Sequence, residues 1–285
     1  MTNSIAIVTD STNDLPLALR QQYDVHVVPL YILWGNETLR DGVDVLPEDF
    51  YARMQREPEA RPKTSLPTPG DFLKVFEEVL AHGAKEIVTL TISSAMSGTI
   101  EAARQAAEMI SAPVHLVDSR SNSMSLGWQI LAAARAREQG GDAAAMVAAA
   151  ETVRQSLVYI IALDTLDYLF AGGRIGGAIS FLGQVLKIKP QISVNHQTGK
   201  VEAGEPARTR ARAIETLYRN FFKRIDTSLP LHIAVLHNAA FEEAEALAQR
   251  VQQEFSPAEL LTSIVSPVLG VHTGPRAIAL CGYAG

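Results

Sequence analysis

Ile87-Val88-Thr89-Leu90-Thr91-Ile92 runs directly into Ser93-Ser94-Ala95-Met96-Ser97-Gly98-Thr99 and then into an Ala-rich stretch from Ile100 to about Ile110. The first piece is continuous and rich in β-branched residues, as a buried strand is, and the last is helical in composition. Strand, hydroxyl-rich loop, helix is the unit that decides the fold. An earlier copy of the same order is Ile5-Ala6-Ile7-Val8, the polar run Thr9 to Asp14, and apolar Leu15, Ala18 and Leu19 at helical spacing. Val25, Val27 and Val28 predict a second strand leading to Leu30 and Ile32 before a turn at Gly35-Asn36-Glu37, and Val114 to Val117 predict a fourth, ended by Asp118-Ser119. Between them Phe72, Val75, Phe76, Val79 and Leu80 share one helical face, with Thr68 as N-cap, Pro69 at the first helical position, Asp71 closing a capping box and Gly83 ending the helix. The Pro-rich stretch from Pro58 to Pro69 reads as a loop.

Strands alternating with helices imply right-handed crossovers and a parallel sheet covered on both faces, an α/β/α arrangement. In such sheets ligands bind beyond the carboxyl ends of the strands, so the loops after the first, third and fourth strands are expected to look into one crevice. Two Ala-rich helices broken at Gly140-Gly141 then lead to Tyr159-Ile160-Ile161-Ala162-Leu163. A domain change is expected near residue 157, giving an N-terminal α/β/α domain over 1–156 and a C-terminal α/β domain with a mixed sheet over 157–285. The second half has a short helix from Leu166 to Phe170 ending in Gly172-Gly173-Arg174. A hairpin turn follows at His196-Gln197-Thr198-Gly199 between Ile192/Val194 and Val201, and helices near 214–222 and 241–255 flank strands at 233–236 and 261–265.

With 285 residues, 47% of them apolar and 20% charged, the chain has globular composition and mass enough for a substantial core. A net charge of −6 provides no global positive field to gather nucleic acid or anionic lipid. Cys281 is the only cysteine, so an intrachain disulfide is impossible and the residue reads as a small buried hydrophobe. Met1-Thr2-Asn3-Ser4 has no basic n-region and no apolar run approaches the roughly 18 residues that span a bilayer, so a soluble, cytoplasmic protein is expected.

Hydroxyls dominate the candidate site: Thr64 and Ser65, then Ser93, Ser94, Ser97 and Thr99. Hydroxyls and free helix-start amides together hold an anion, and Gly98 lets a ligand oxygen approach the backbone, although Ser and Thr at such junctions also serve as plain caps. Ser97 lacks the G-x-S-x-G elbow of α/β-hydrolases, and neither a Walker A loop nor G-x-G-x-x-G follows the first strand. His272, in Gly270-Val271-His272-Thr273-Gly274-Pro275, reads as a loop histidine able to donate to a carboxylate or phosphate, or else bonded to backbone. The seven histidines show no metal-ligand spacing. Arg174 either caps a helix end or meets a phosphate or partner. Arg208, Arg210 and Arg212 share a face only if extended. Asp10, Asp14, Asp41 and Asp118 tempt a magnesium reading that Asx turns and caps explain more simply.

In this order the chain resembles the DegV family of bacterial fatty-acid-binding proteins. The likeness is carried by Val8-Thr9-Asp10-Ser11-Thr12 with Asp14-Leu15-Pro16, Thr64-Ser65, Ile92-Ser93-Ser94, Ser97-Gly98-Thr99, Asp118-Ser119, Gly172-Gly173-Arg174-Ile175 and His272-Thr273-Gly274-Pro275. The resemblance implies a two-domain protein holding one long-chain fatty acid in an apolar tunnel. In the family the acid is presented to a separate ATP-using kinase subunit that makes an acyl phosphate for phospholipid synthesis. It further implies that Thr64, Ser97 or Ser94, and His272 bind the carboxylate, with Ser65, Ser93, Gly98 and Thr99 in the same head-group loops. Arg174 and Arg208 meet the kinase subunit or the phosphate. No cofactor, no metal and no catalytic site of its own are implied, and delivery of the acyl phosphate is toward membrane enzymes. Leu66, Ile100 and Arg276 depart from the residues common in the family after the Thr-Ser, Ser-Gly-Thr and His-Thr-Gly-Pro motifs. Two other readings stand beside this one: a hydrolase or phosphotransferase acting on a small acid through Ser97 or His272 with a loop aspartate, and a regulatory module for another small anion.

Overall fold

A computed structural model describes residues 4–181 and 188–285. The strands β1 (Ile5–Asp10), β2 (Val25–Val28), β6 (Glu86–Thr91) and β7 (Val114–Asp118) form a parallel sheet in the order β2-β1-β6-β7. Its two faces are read off β1: Ala6 and Val8 pack with Phe72, Phe76 and Val79 of α3 (Pro69–Ala81) and Ala102, Ala103 and Ala106 of α4 (Thr99–Ala107). Ile5 and Ile7 face the opposite way, into the central core with α5 (Ser123–Glu138) and α6 (Ala143–Ser156).

The chain then enters a mixed six-stranded sheet at β8 (Val158–Ala162). Its members β9 (Gln191–Asn195), β10 (Lys200–Ala203), β11 (Leu231–His237), β12 (Glu259–Ile264) and β13 (Ile278–Ala284) give the order β10-β9-β8-β13-β11-β12, with only β11 and β12 parallel. Alternation again sorts the faces. Tyr159, Ile161, Leu236, Ala279 and Cys281 point to the central core, while Ile160, Val235, Ile278 and Leu280 meet α8 (Arg210–Arg224) and α9 (Phe241–Phe255). Helix α5 therefore lies between two sheets, and its residues Ser123 to Leu131 are all buried. Small Ala, Ser and Gly side chains are what such close quarters admit. Cys281 is buried there with its Sγ 3.3 Å from Ser125 Oγ.

The capping box at α3 is present in full: the Asp71 amide donates to Thr68 Oγ1 at 3.2 Å and the Thr68 amide to Asp71 Oδ2 at 2.8 Å. Three expectations change. The stretch from Tyr31 to Ser65 is more ordered than its sequence suggests: β3 (Tyr31–Trp34), β4 (Glu37–Arg40) and β5 (Lys63–Ser65) make a small antiparallel sheet around α2 (Pro47–Arg56). Thr64 and Ser65 thus sit on a strand, not a loop. Three residues are too few to show a period, and pairing with Ile32 and Tyr31 supplies the ladder. His272 is not in a loop but in the last turn of α10 (Pro267–Thr273). Arg210 and Arg212 belong to α8, which Thr209 caps, so no extended arginine face forms. Among the described residues no helix is long and apolar enough to cross a membrane.

Candidate functional site

The loops after β1, β6 and β7 meet as their strand order requires. The Ile92 amide donates to Asp10 Oδ2 at 2.7 Å, the Ser93 amide to the Ser121 carbonyl at 2.7 Å, and the Asn122 side-chain amide lies 3.3 Å from Met96 Sδ. Asp10 and Asp118 are Asx-type anchors here: Asp10 accepts from Thr12, and Asp118 from Ser94 and Arg120.

Between this edge and the second sheet lies a cavity of about 210 Å³. Its walls are apolar: Leu30 and Ile92 on one side, Tyr159, Ile161, Ile192 and Leu236 on the other, and Val268 and Leu269 of α10 between them. One end is polar. There Thr64 Oγ1 stands 2.9 Å from His272 Nε2, Arg174 Nε donates to the Met96 carbonyl at 3.3 Å, and Ser97 follows Met96 in the same lining. An apolar cleft with a few convergent polar groups is the ordinary form of a ligand site.

Burial, helped by the charge of Arg174, lowers the pKa of His272 to about 4. The ring is neutral at pH 7, so one nitrogen donates and the other accepts. Its Nδ1 is buried without a partner and faces Gly172, where a Cβ would overlap it. With the proton on Nε2, His272 donates to Thr64 Oγ1 and frees the threonine hydroxyl hydrogen for an anion in the cavity.

Thr64, Ser65, Ser97, Arg174 and His272 all line this cavity. Ser94 and Ser93 do not. The exposed Ser94 hydroxyl donates to Asp118 Oδ2 at 2.5 Å, and the fully buried Ser93 hydroxyl donates to the Gly199 carbonyl at 2.8 Å, docking the β9–β10 hairpin. Thr99, also buried, pairs with Ser97 Oγ at 2.9 Å, and Gly98 is the N-cap of α4 without a side-chain cap. Arg208 is exposed, lines no cavity described and has no bonded partner among the described residues. Ser97 is paired with Thr99 rather than with His272, and no carboxylate orients the imidazole among the described residues, so a serine–histidine–acid relay is not assembled. Nor do three His, Cys, Asp or Glu side chains group as metal ligands among them.

A second cavity, of about 200 Å³, adjoins the polar end through Thr64, Arg174 and His272. It adds Arg61 and Lys63, which the sequence reading passed over in a proline-rich stretch. Arg61 and Arg174 bond only to backbone carbonyls, and none of the three cations pairs with a carboxylate among the described residues.

The family profile described as "Uncharacterised protein, DegV family" matches residues 4–284. A DegV domain-containing protein of Streptomyces coelicolor is 37% identical over 282 residues, covering 98% of each chain. Among solved structures, a DegV family protein from Thermus thermophilus described as binding fatty acid superposes with a TM-score of 0.91 at 32% identity, covering 99% of this chain and 100% of that one. A stearic acid-binding protein from Eubacterium ventriosum gives 0.91 at 27% identity, covering 98% of each.

Proposed function

The chain belongs to the DegV family, and from that premise we propose that it binds a long-chain fatty acid in the apolar cavity. Thr64, Ser97 and His272 receive the carboxylate, and the chain presents it to a separate ATP-dependent kinase subunit. The observation that carries this reading is a greasy cleft whose polar end offers the hydroxyls of Thr64 and Ser97 beside His272. Burying an acyl chain at about 0.8 kcal/mol per CH₂ covers the roughly 8 kcal/mol of micromolar affinity within a dozen or so methylenes, before ordering costs. Hydroxyl donors, that of Thr64 oriented by His272, leave a carboxylate oxygen free to react, whereas a bidentate arginine would engage both oxygens.

In the kinase step that free oxygen attacks the terminal phosphorus of ATP held by the partner, the bond to the bridging oxygen breaks, and ADP leaves with acyl phosphate retained. Arg174 is the phosphate contact at the cavity, and Arg208 the partner contact. The chain is thus a carrier subunit without its own catalytic site, feeding phospholipid synthesis in a bacterial cytoplasm. We put the division between its two domains at 156/157, after α6 ends at Ser156 and before β8 starts at Val158. Denaturing extraction of freshly purified protein followed by mass spectrometry tests the reading. One fatty acid per chain is expected; an empty extract from a protein that also takes up no added fatty acid refutes it.

A further inference from the structure

A buried carboxylate stands behind the cavity wall. Asp41, which follows β4, is 2% exposed. Its Oδ2 accepts the Ser11 hydroxyl at 2.6 Å and its Oδ1 accepts the Val268 amide at 3.3 Å. Ser11 Oγ accepts the Leu30 amide at 3.0 Å, and the Asp41 amide donates to the Leu30 carbonyl at 2.9 Å. One residue therefore joins three segments distant in sequence, and Thr12, Leu30 and Val268 of those segments all line the cavity.

Val268 lies in the first turn of α10 and His272 in its last. No side chain of its own caps this helix; its leading amides go to carboxylates from the other half of the chain, Ser266 to Asp14 Oδ1 at 2.9 Å and Val268 to Asp41. Gly270, midway, rests on α2 so closely that a Cβ would come 2.6 Å from the Tyr51 hydroxyl and 2.7 Å from the Phe50 ring. The helix is pressed on one side by aromatic rings and tethered at its start by acids, which leaves its register to those tethers.

We propose that Asp41 is a positioning residue of the acyl site, fixing α10 so that His272 stands beside Thr64 and the wall closes at Leu30 and Val268. The proposal rests on the acyl-binding reading above. Facing Asp41 are Asp10 at the end of β1, Asp14 in the loop after it, Arg20 of α1 (Leu17–Gln22) and the Tyr51 hydroxyl of α2. Burial, with the neighbouring acids adding to it, pushes Asp41 up to about 8. Near neutrality the side chain is chiefly the acid, whose Oδ2–H donates to Ser11 Oγ, the reverse of the bond the carboxylate accepts, and asparagine reproduces the acid: Oδ1 accepts from Val268 while Nδ2 donates to Ser11. Above that range a charge appears in a dry site and loosens it.

The test follows release of the fluorescent fatty acid cis-parinarate from the full chain between about pH 6 and about pH 9, for wild type, Asp41→Asn and Asp41→Ala. Asp41→Ala is expected to release the probe about tenfold faster near neutral pH and to shift the ring resonances of His272. Asp41→Asn is expected to match wild type near neutrality, yet to stay flat toward pH 9 where wild-type release accelerates. A folded Asp41→Ala protein with wild-type release, or an Asp41→Asn protein that follows the wild-type alkaline rise, overturns the proposal. Should Asp41→Ala not fold, the pH comparison with Asp41→Asn decides alone. A wild-type chain that takes up no probe refutes the acyl reading itself and the proposal with it, so the two failures are told apart.

Discussion

His272 leans on Gly172 with no room for another carbon between them: a Cβ on residue 172 would overlap Nδ1 of the imidazole. Gly172 has φ −81° and ψ −8°, a conformation any residue adopts, so the glycine is required by the contact and not by the backbone. Gly172→Ala should therefore displace His272 from Thr64 at a cost of about 1–3 kcal/mol, the usual range for overpacking. Fatty acid affinity should fall by roughly an order of magnitude while the circular dichroism spectrum is kept. Unchanged affinity would mean that the imidazole has no part in holding the head group.

Thr64 and Ser97 bring hydroxyls from a strand and a loop that meet only in the folded chain. Each hydrogen bond to a charged acceptor contributes about 1.5–3 kcal/mol. Thr64→Ala together with Ser97→Ala should weaken acyl binding by about two orders of magnitude or more, measured by competition with a fluorescent fatty acid. Thr64→Ala also strips His272 Nε2 of its partner and should lower Tm by a few degrees.

The parallel sheet was legible because β1, β6 and β7 are short apolar runs ending in polar residues, and a parallel sheet brings such ends to one edge. The capping box of α3 was legible for the same reason: it is a local pattern. What was hidden is non-local. Lys63-Thr64-Ser65 becomes a strand only because Tyr31 to Leu33 offers it an edge. Ser94 and Ser97 are equivalent as letters in one loop, and Asp118, from another strand, captures the first and leaves the second at the cavity. Arg61 and Lys63 gain meaning only beside Arg174, more than a hundred residues away.

On the proposed reading, Arg174 and Lys63 at the second cavity and Arg208 outside it serve phosphorylation rather than retention of the acid. Arg208→Ala, at a residue that lines neither cavity, should leave fatty acid retention unchanged and slow acyl phosphate formation by the kinase subunit about tenfold or more. Arg174→Ala and Lys63→Ala should lower that turnover far more than they lower affinity if, as proposed, a cation at this cavity meets the transferred phosphoryl group rather than the acyl chain. Equal turnover in all three, assayed with labelled ATP and oleate, would remove them from the phosphate and partner roles.

Buried acids and a buried imidazole give the protein's stability opposite pH slopes over overlapping ranges. An acid whose folded pKa lies above its unfolded value contributes stability that is complete below the unfolded pKa and is lost as pH rises through the folded one. Asp14, raised from 3.8 to about 6, and Asp41, raised from 3.8 to about 8, are of this kind. His272, lowered from 6.5 to about 4, is the converse: its contribution is complete above the unfolded value and is lost as pH falls through the folded one. Asp41→Asn removes the one of these two acids whose window reaches further toward alkaline pH. Its unfolding free energy relative to wild type should therefore climb from about pH 4 to about pH 8, by no more than about 1.4 kcal/mol per pH unit, with Tm moving in the same direction, and level off beyond. His272→Gln should differ in slope from wild type only on the acid side, between about pH 4 and about pH 6.5. Thermal unfolding across that range decides it: an Asp41→Asn curve parallel to wild type between about pH 5 and about pH 8 would show that Asp41 is not the acid that titrates there.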